Sequence, residues 1–226
     1  MTTPSLKLRV LEAARGHSVP KRLDRASERL PIPAAMLLLT AGAMSLVLWL
    51  AGGPAHAAGR PLEVSAWIVG GTALLAIAAT TLALPPARSM LPRARGQLLA
   101  VMAGVPLLIG LWVGLWHTAY ADPFTRSGFR CFALTALTAP WPFAALVTLR
   151  RRFDPLQPML SGGALGAAAG AWSAMMVELW CPLSSAGHVA FGHVAPLALV
   201  VLAGAVTGGL LLRPPRVQAG PPSPRE

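Results

Sequence analysis

LLAVMAGVPLLIGLWVGLW, residues Leu98–Trp116, decides the fold. It holds no acidic or basic side chain. A helix that crosses a hydrocarbon core of about 30 Å needs about 20 apolar residues at about 1.5 Å each, and this run supplies them. Five further runs read the same way: Ala34–Gly53, Val64–Leu84, Cys131–Leu149, Pro158–Trp180 and Val194–Leu212. Glu178 is the one acidic or basic side chain in all six. The expected fold is therefore all-α: a polytopic membrane protein built as a bundle of six transmembrane helices.

The remaining sequence fits that frame. The chain is 54% hydrophobic and 12% charged, whereas soluble proteins carry roughly 25% charged residues. A net charge of +11 invites a nucleic-acid reading, but the basic residues sit in short patches between apolar runs. Three segments follow: a tail over 1–32, the helical domain over 33–212 and a Pro-rich tail over 213–226. No cleavable signal is expected, because the first apolar run begins near Pro33 behind a mixed-charge tail and is long enough to span.

Orientation follows from lysine and arginine. The N-terminal tail, the loops after helices 2 and 4, and the C-terminal tail hold sixteen of the nineteen basic residues; Arg60, Arg126 and Arg130 are the other three. This split places both termini in the cytoplasm. Trp49, Trp67, Trp112, Trp116 and Trp180 then fall near the outer ends, where amphipathic rings favour the interface. Trp141 and Trp172 lie deeper and read as packing residues. Glycines four apart, at Gly162, Gly166 and Gly170, at Gly110 and Gly114, and at Gly204 and Gly208, point to close helix contacts. Pro106, Pro140 and Pro142 are expected to kink helices 3 and 4.

In the tail, Thr3, Pro4 and Gly16 frame a short amphipathic helix, with Leu6, Val10 and Leu11 apolar and Arg15 near its end. Three turns are marginal in water, so this helix suits a partner or a membrane surface; the alternative reading is a frayed tail whose basic residues only set the topology.

Residues able to carry chemistry gather on the outer side. Cys131 opens helix 4 and Cys181 closes helix 5, about 18 and 20 positions from a short inner turn, so the thiols reach matching depths within a few ångströms. His117, His188 and His193 fall in outer loops, as does His56; His17 is inside. Thiolate and imidazole suit soft metals, and thiols also oxidise. The residues leave open a structural disulfide, a metal- or redox-responsive pair, and plain loop placement for the histidines. Auxiliary ligands would come from His188, His193, His117 and Glu178. No constitutive cofactor is expected, only transient soft-metal binding at Cys131 and Cys181. An enzyme is not expected: there is no CxxC, no HExxH and no Gly-rich phosphate loop.

Four features carry a family resemblance: Cys131-Phe132 at the outer start of helix 4, Leu149-Arg150-Arg151 leaving it, Ser161-Gly162-Gly163-Ala164 opening helix 5, and Cys181 at its outer end. With these the chain resembles the NrsF-like family of bacterial membrane anti-sigma factors over most of its length after residue 30. The resemblance implies a multi-pass inner-membrane protein that holds an extracytoplasmic-function sigma factor at its cytoplasmic face and has no direct nucleic-acid contact. It also implies that Cys131 and Cys181 sense metal or oxidative stress. Leu6, Val10, Leu11, Arg15, Arg150, Arg151 and Arg152 are the candidate sigma contacts. The rival readings are a transport or metal-handling protein and a membrane thiol oxidoreductase. The first would need a polar path through the bundle, and the second a turnover-competent thiol pair with a quinone site.

Overall fold

The computed structural model describes residues 31–50, 60–84, 93–116, 128–150 and 156–212. The N-terminal segment with Leu6, Val10, Leu11 and Arg15 lies outside these residues, as do His117, Arg151 and Arg152. The described elements are helical: α1 (Pro31–Leu50), α2 (Leu62–Ala83), α3 (Arg95–Leu115), α4 (Phe129–Thr138), α5 (Pro140–Arg150), α6 (Pro158–Glu178), α7 (Ala186–Val189), a π-helical turn (Ala190–Val194) and α8 (Ala195–Leu211). Six continuous stretches among them are long and apolar enough to cross a membrane: Ile32–Leu50, Leu62–Ala83, Arg95–Leu115, Phe129–Arg150, Pro158–Glu178 and Ala186–Leu211.

The sixth stretch differs most from the sequence expectation. It starts at Ala186 rather than Val194, so His188 and His193 ride on helix instead of loop. Hydropathy alone hides this start, because Gly187, His188, Gly192 and His193 dilute the apolar signal.

α6 is the hub. It packs against α8, α2, α3, α5 and α4, and from Ser161 to Glu178 every residue is buried. A helix enclosed on all sides must be thin, and glycine and alanine over Gly162–Ala171 make it so. A Cβ added at Gly208 would lie 2.5 Å from Gly162 Cα, and one at Gly166 would lie 2.5 Å from Val200 O, so α6 and α8 meet backbone to backbone. The expected Gly162–Gly166 and Gly204–Gly208 contacts are thus made with each other. Gly110 packs against Val194, while Gly114 faces open space.

Three buried hydroxyls bond their own helix: Thr72 donates to Ile68 O at 2.9 Å, Thr80 to Ala76 O at 2.8 Å and Thr138 to Leu134 O at 2.7 Å. Thr135 Oγ1 and Ser173 Oγ are buried without a hydrogen-bond partner among the described residues. Trp172 is buried and donates Nε1 to Thr80 Oγ1 at 3.0 Å, as a packing tryptophan should. Trp141, read from sequence as a packing residue, is instead exposed on the outside of the bundle. Trp67 stacks on Trp116, and Trp112 meets Trp116 edge-on.

The prolines act unequally. α3 runs unbroken through Pro106. At Pro140 the helix divides into α4 and α5, because Pro140 and Pro142 remove the donors for the carbonyls of Ala136 and Thr138. Bonds from Ala139 N to Thr135 O and from Phe143 N to Ala139 O bridge the division.

The α6–α8 seam gives a direct test. Gly162→Leu should destabilise the protein by about 1–3 kcal/mol through overpacking, read as a lower Tm in detergent. Gly104→Ala, where a Cβ meets nothing within 4 Å, should leave Tm unchanged or slightly raised, since alanine favours helix.

Candidate functional site

Three segments converge at one end of the bundle. The first turn of α4 presents Cys131, the segment after α6 presents Cys181, and α7 with the π turn presents His188 and His193. A backbone contact sets the approach: a Cβ on Gly128 would lie 2.6 Å from Gly192 Cα, and one on Gly192 would lie 3.3 Å from Cys131 Cβ. Glycine at both positions lets the start of α4 lie against the π turn. Phe132 stacks on Phe191 beside it, with centroids 5.6 Å apart.

The π turn brings the two histidines together. Residues five apart on an α-helix diverge by about 140°. The wider turn over Ala190–Val194 reduces this, and the His188 and His193 rings lie 5.4 Å apart. π turns recur at functional sites for this kind of reason.

One ligand atom from each of Cys131, Cys181, His188 and His193 lies within 4.8 Å of the others. All four residues are buried. Both cysteines are free thiols, and Cys181 Sγ lies 3.0 Å from His188 Nε2. The Cys181 thiol is pushed up to about 11 by its hydrogen bond with Cys131 and by burial, with the His188 and His193 rings pulling the other way. The group is able to hold a metal ion, and its donors are the pair expected from sequence plus two histidines expected only as auxiliaries.

Glu178 stands behind this group rather than in it. Its Oε1 lies 2.6 Å from His193 Nδ1. Its Oε2 lies 3.7 Å from Arg60 Nη1. Arg60 Nη2 also donates to the Glu178 carbonyl, and Arg60 Nε to Ser65 Oγ at 2.9 Å. Arg60 therefore fastens the start of α2 to the end of α6. Sequence reading placed Arg60 only as a loop charge, and nothing in the local sequence pairs it with a residue 118 positions away.

At the opposite end of the fourth stretch, Arg150 closes α5. It is 4% exposed, so this candidate sigma contact is tucked into the bundle rather than displayed.

The geometry can be set beside known proteins. The family model described as NrsF, negative regulator of sigma F, matches residues 14–213. The chain belongs to this family. A curated relative, the probable anti-sigma-F factor NrsF of Azospira oryzae, is 28% identical over 130 residues. That match covers 54% of this chain and 61% of the relative, so the chain spans less than two thirds of it. No solved structure matches.

The buried charges behind the cluster generate a prediction. Arg60→Met leaves Glu178 buried without its cation and should cost about 3–5 kcal/mol. Adding Glu178→Gln should recover part of that loss, because the orphaned charge is gone. Thermal unfolding of both single variants and the double would measure the coupling, and strictly additive losses would mean that the pair does not interact.

Proposed function

We propose that this protein is a membrane-bound anti-sigma factor that sequesters an extracytoplasmic-function sigma factor at the cytoplasmic face and releases it when the outer cluster meets a metal or an oxidant. Family membership supports the negative regulation of a sigma factor. The one observation that favours sensing at this place is the buried group of Cys131 and Cys181 with two histidines. Its ligands come from three separate segments, so a change in their bonding alters how the ends of α4, α6 and α8 are held. A ligand shifts a bundle between two arrangements only by bonding one of them better, and a site divided among segments has that property.

The transport reading is weakened by the structure, since α6 fills the centre of the bundle with glycine and alanine and leaves no row of polar side chains along it.

Both termini are placed in the cytoplasm on the charge split. Reporter fusions after Arg152 and after Gly220 should read cytoplasmic, and fusions near Ser127 and Ala186 external. An external C-terminus would overturn the arrangement.

The sensing claim is tested with a sigma-dependent reporter. Cys131→Ser and Cys181→Ser proteins at normal membrane abundance should still repress the reporter but fail to induce it under cadmium, chromate or oxidant. The double variant should lose little more than either single, because the thiols act as one unit. Normal induction in the double variant would end the claim. Constitutive output with low protein abundance would instead assign the cysteines a structural role.

A further inference from the structure

Deepening the sensing reading above, and resting on its assignment of the outer cluster, we propose that Cys131, Cys181, His188 and His193 form a closed four-coordinate site for one divalent d10 cation, zinc or cadmium, with Glu178 and Arg60 as its positioning residues. Neither cysteine alone makes such a site; the supporting observations are the number of donors, the orientation of one imidazole and the charge.

Two thiolates and two imidazoles are a donor set that tetrahedral zinc sites use, and four protein ligands leave no position open for substrate. Cys131 is 9% exposed, Cys181 4%, His188 6% and His193 0%. A site this dry is a holding site rather than a reaction centre.

His193 is already oriented as a ligand. Its Nδ1 lies against the Glu178 carboxylate at 2.6 Å, which leaves Nε2 for a metal. Nε2 is buried, and the ring already interacts with the Cys181 thiol, one of the other proposed donors. Metal-bound histidines hold a carboxylate on their far nitrogen in this manner, and the carboxylate fixes the tautomer and raises ligand basicity.

Charge selects the cation. On binding, each thiol releases one proton to bulk water, so two thiolates carry two negative charges. A divalent cation cancels them, and both imidazoles stay neutral. Behind them Arg60 and Glu178 cancel one another, and the Arg60 and Glu178 side chains are 3% and 0% exposed. The whole assembly is then neutral. Copper(I) at the same ligands would leave one net negative charge in a region with little water to solvate it, which is expensive.

The test uses the full-length protein purified in detergent and stripped of metal under reductant. Zinc, cadmium and copper(I) are each titrated against a chelator of known affinity. The expected result is one equivalent of zinc or cadmium per chain. Cobalt(II), substituted into the wild-type protein, should give the intense ligand-field bands of a tetrahedral site together with thiolate-to-cobalt charge transfer. Cys131→Ser and His193→Gln should lose the bound equivalent. Glu178→Gln should keep the one-to-one stoichiometry and tetrahedral cobalt spectrum while binding roughly 10–100-fold more weakly, and Arg60→Met should move affinity in the same direction. Tm of each metal-free variant separates this from unfolding, and the wild-type cobalt spectrum does not depend on any variant.

An octahedral cobalt spectrum, undiminished binding by His193→Gln, or copper(I) retained where cadmium is stripped would overturn the proposal. Failure of the site and failure of the sensing reading are separable. Tight zinc or cadmium binding with normal stress induction in the double cysteine variant would keep the site and remove the sensor. No metal binding with a defective stress response in the cysteine variants would remove the site and leave thiols that answer to oxidant.

Discussion

A helix buried from Ser161 to Glu178 sets the terms for every other element in the bundle. α6 has neighbours on all sides, and its glycines and alanines let α8 approach until backbone meets backbone. Close approach brings the two backbones into contact and lets many atoms pack along the seam. With α6 and α8 locked at Gly162, Gly166, Gly204 and Gly208, the segment after α6 and the start of the α7–π–α8 helix are brought to the same end. Cys181 and His188 meet there as a consequence of that seam.

The second determinant is the π turn. A regular α-helix through Ala186–Leu211 would swing His193 away from His188. One widened turn redirects it toward Glu178 and the thiols, and the glycine at Gly192 admits the start of α4 at the same place. The turn gives up regular α-helical bonding over a few residues. In exchange it gathers two cysteines and two histidines, one donor atom from each, into a space of less than 5 Å.

Arg60 and Glu178 connect this site to the rest of the bundle. Their pairing is buried, so it is a strong constraint on where the start of α2 sits relative to the end of α6. His193 touches the same carboxylate. Glu178 thus lies between His193 and Arg60.

The sequence by itself determined six apolar stretches, the all-helical class, the glycine seams on α6 and α8, and the pairing in depth of Cys131 with Cys181. These are properties of composition and period along one segment. The tertiary structure decided what local reading cannot reach. The last helix begins eight residues earlier than hydropathy suggests, because His188 and His193 look polar in sequence yet are buried in the bundle. Glu178 meets His193 Nδ1 and lies outside the group of thiols and imidazoles. Arg60, distant in sequence and unremarkable as a loop charge, becomes a buried counter-ion only when α2 and α6 are packed. Trp141 turns outward because a break at Pro140 and the crowding around α6 leave the indole on the outer face of the bundle. Pairwise chemistry between segments is set by packing, and packing is the one thing a period of 3.6 does not encode.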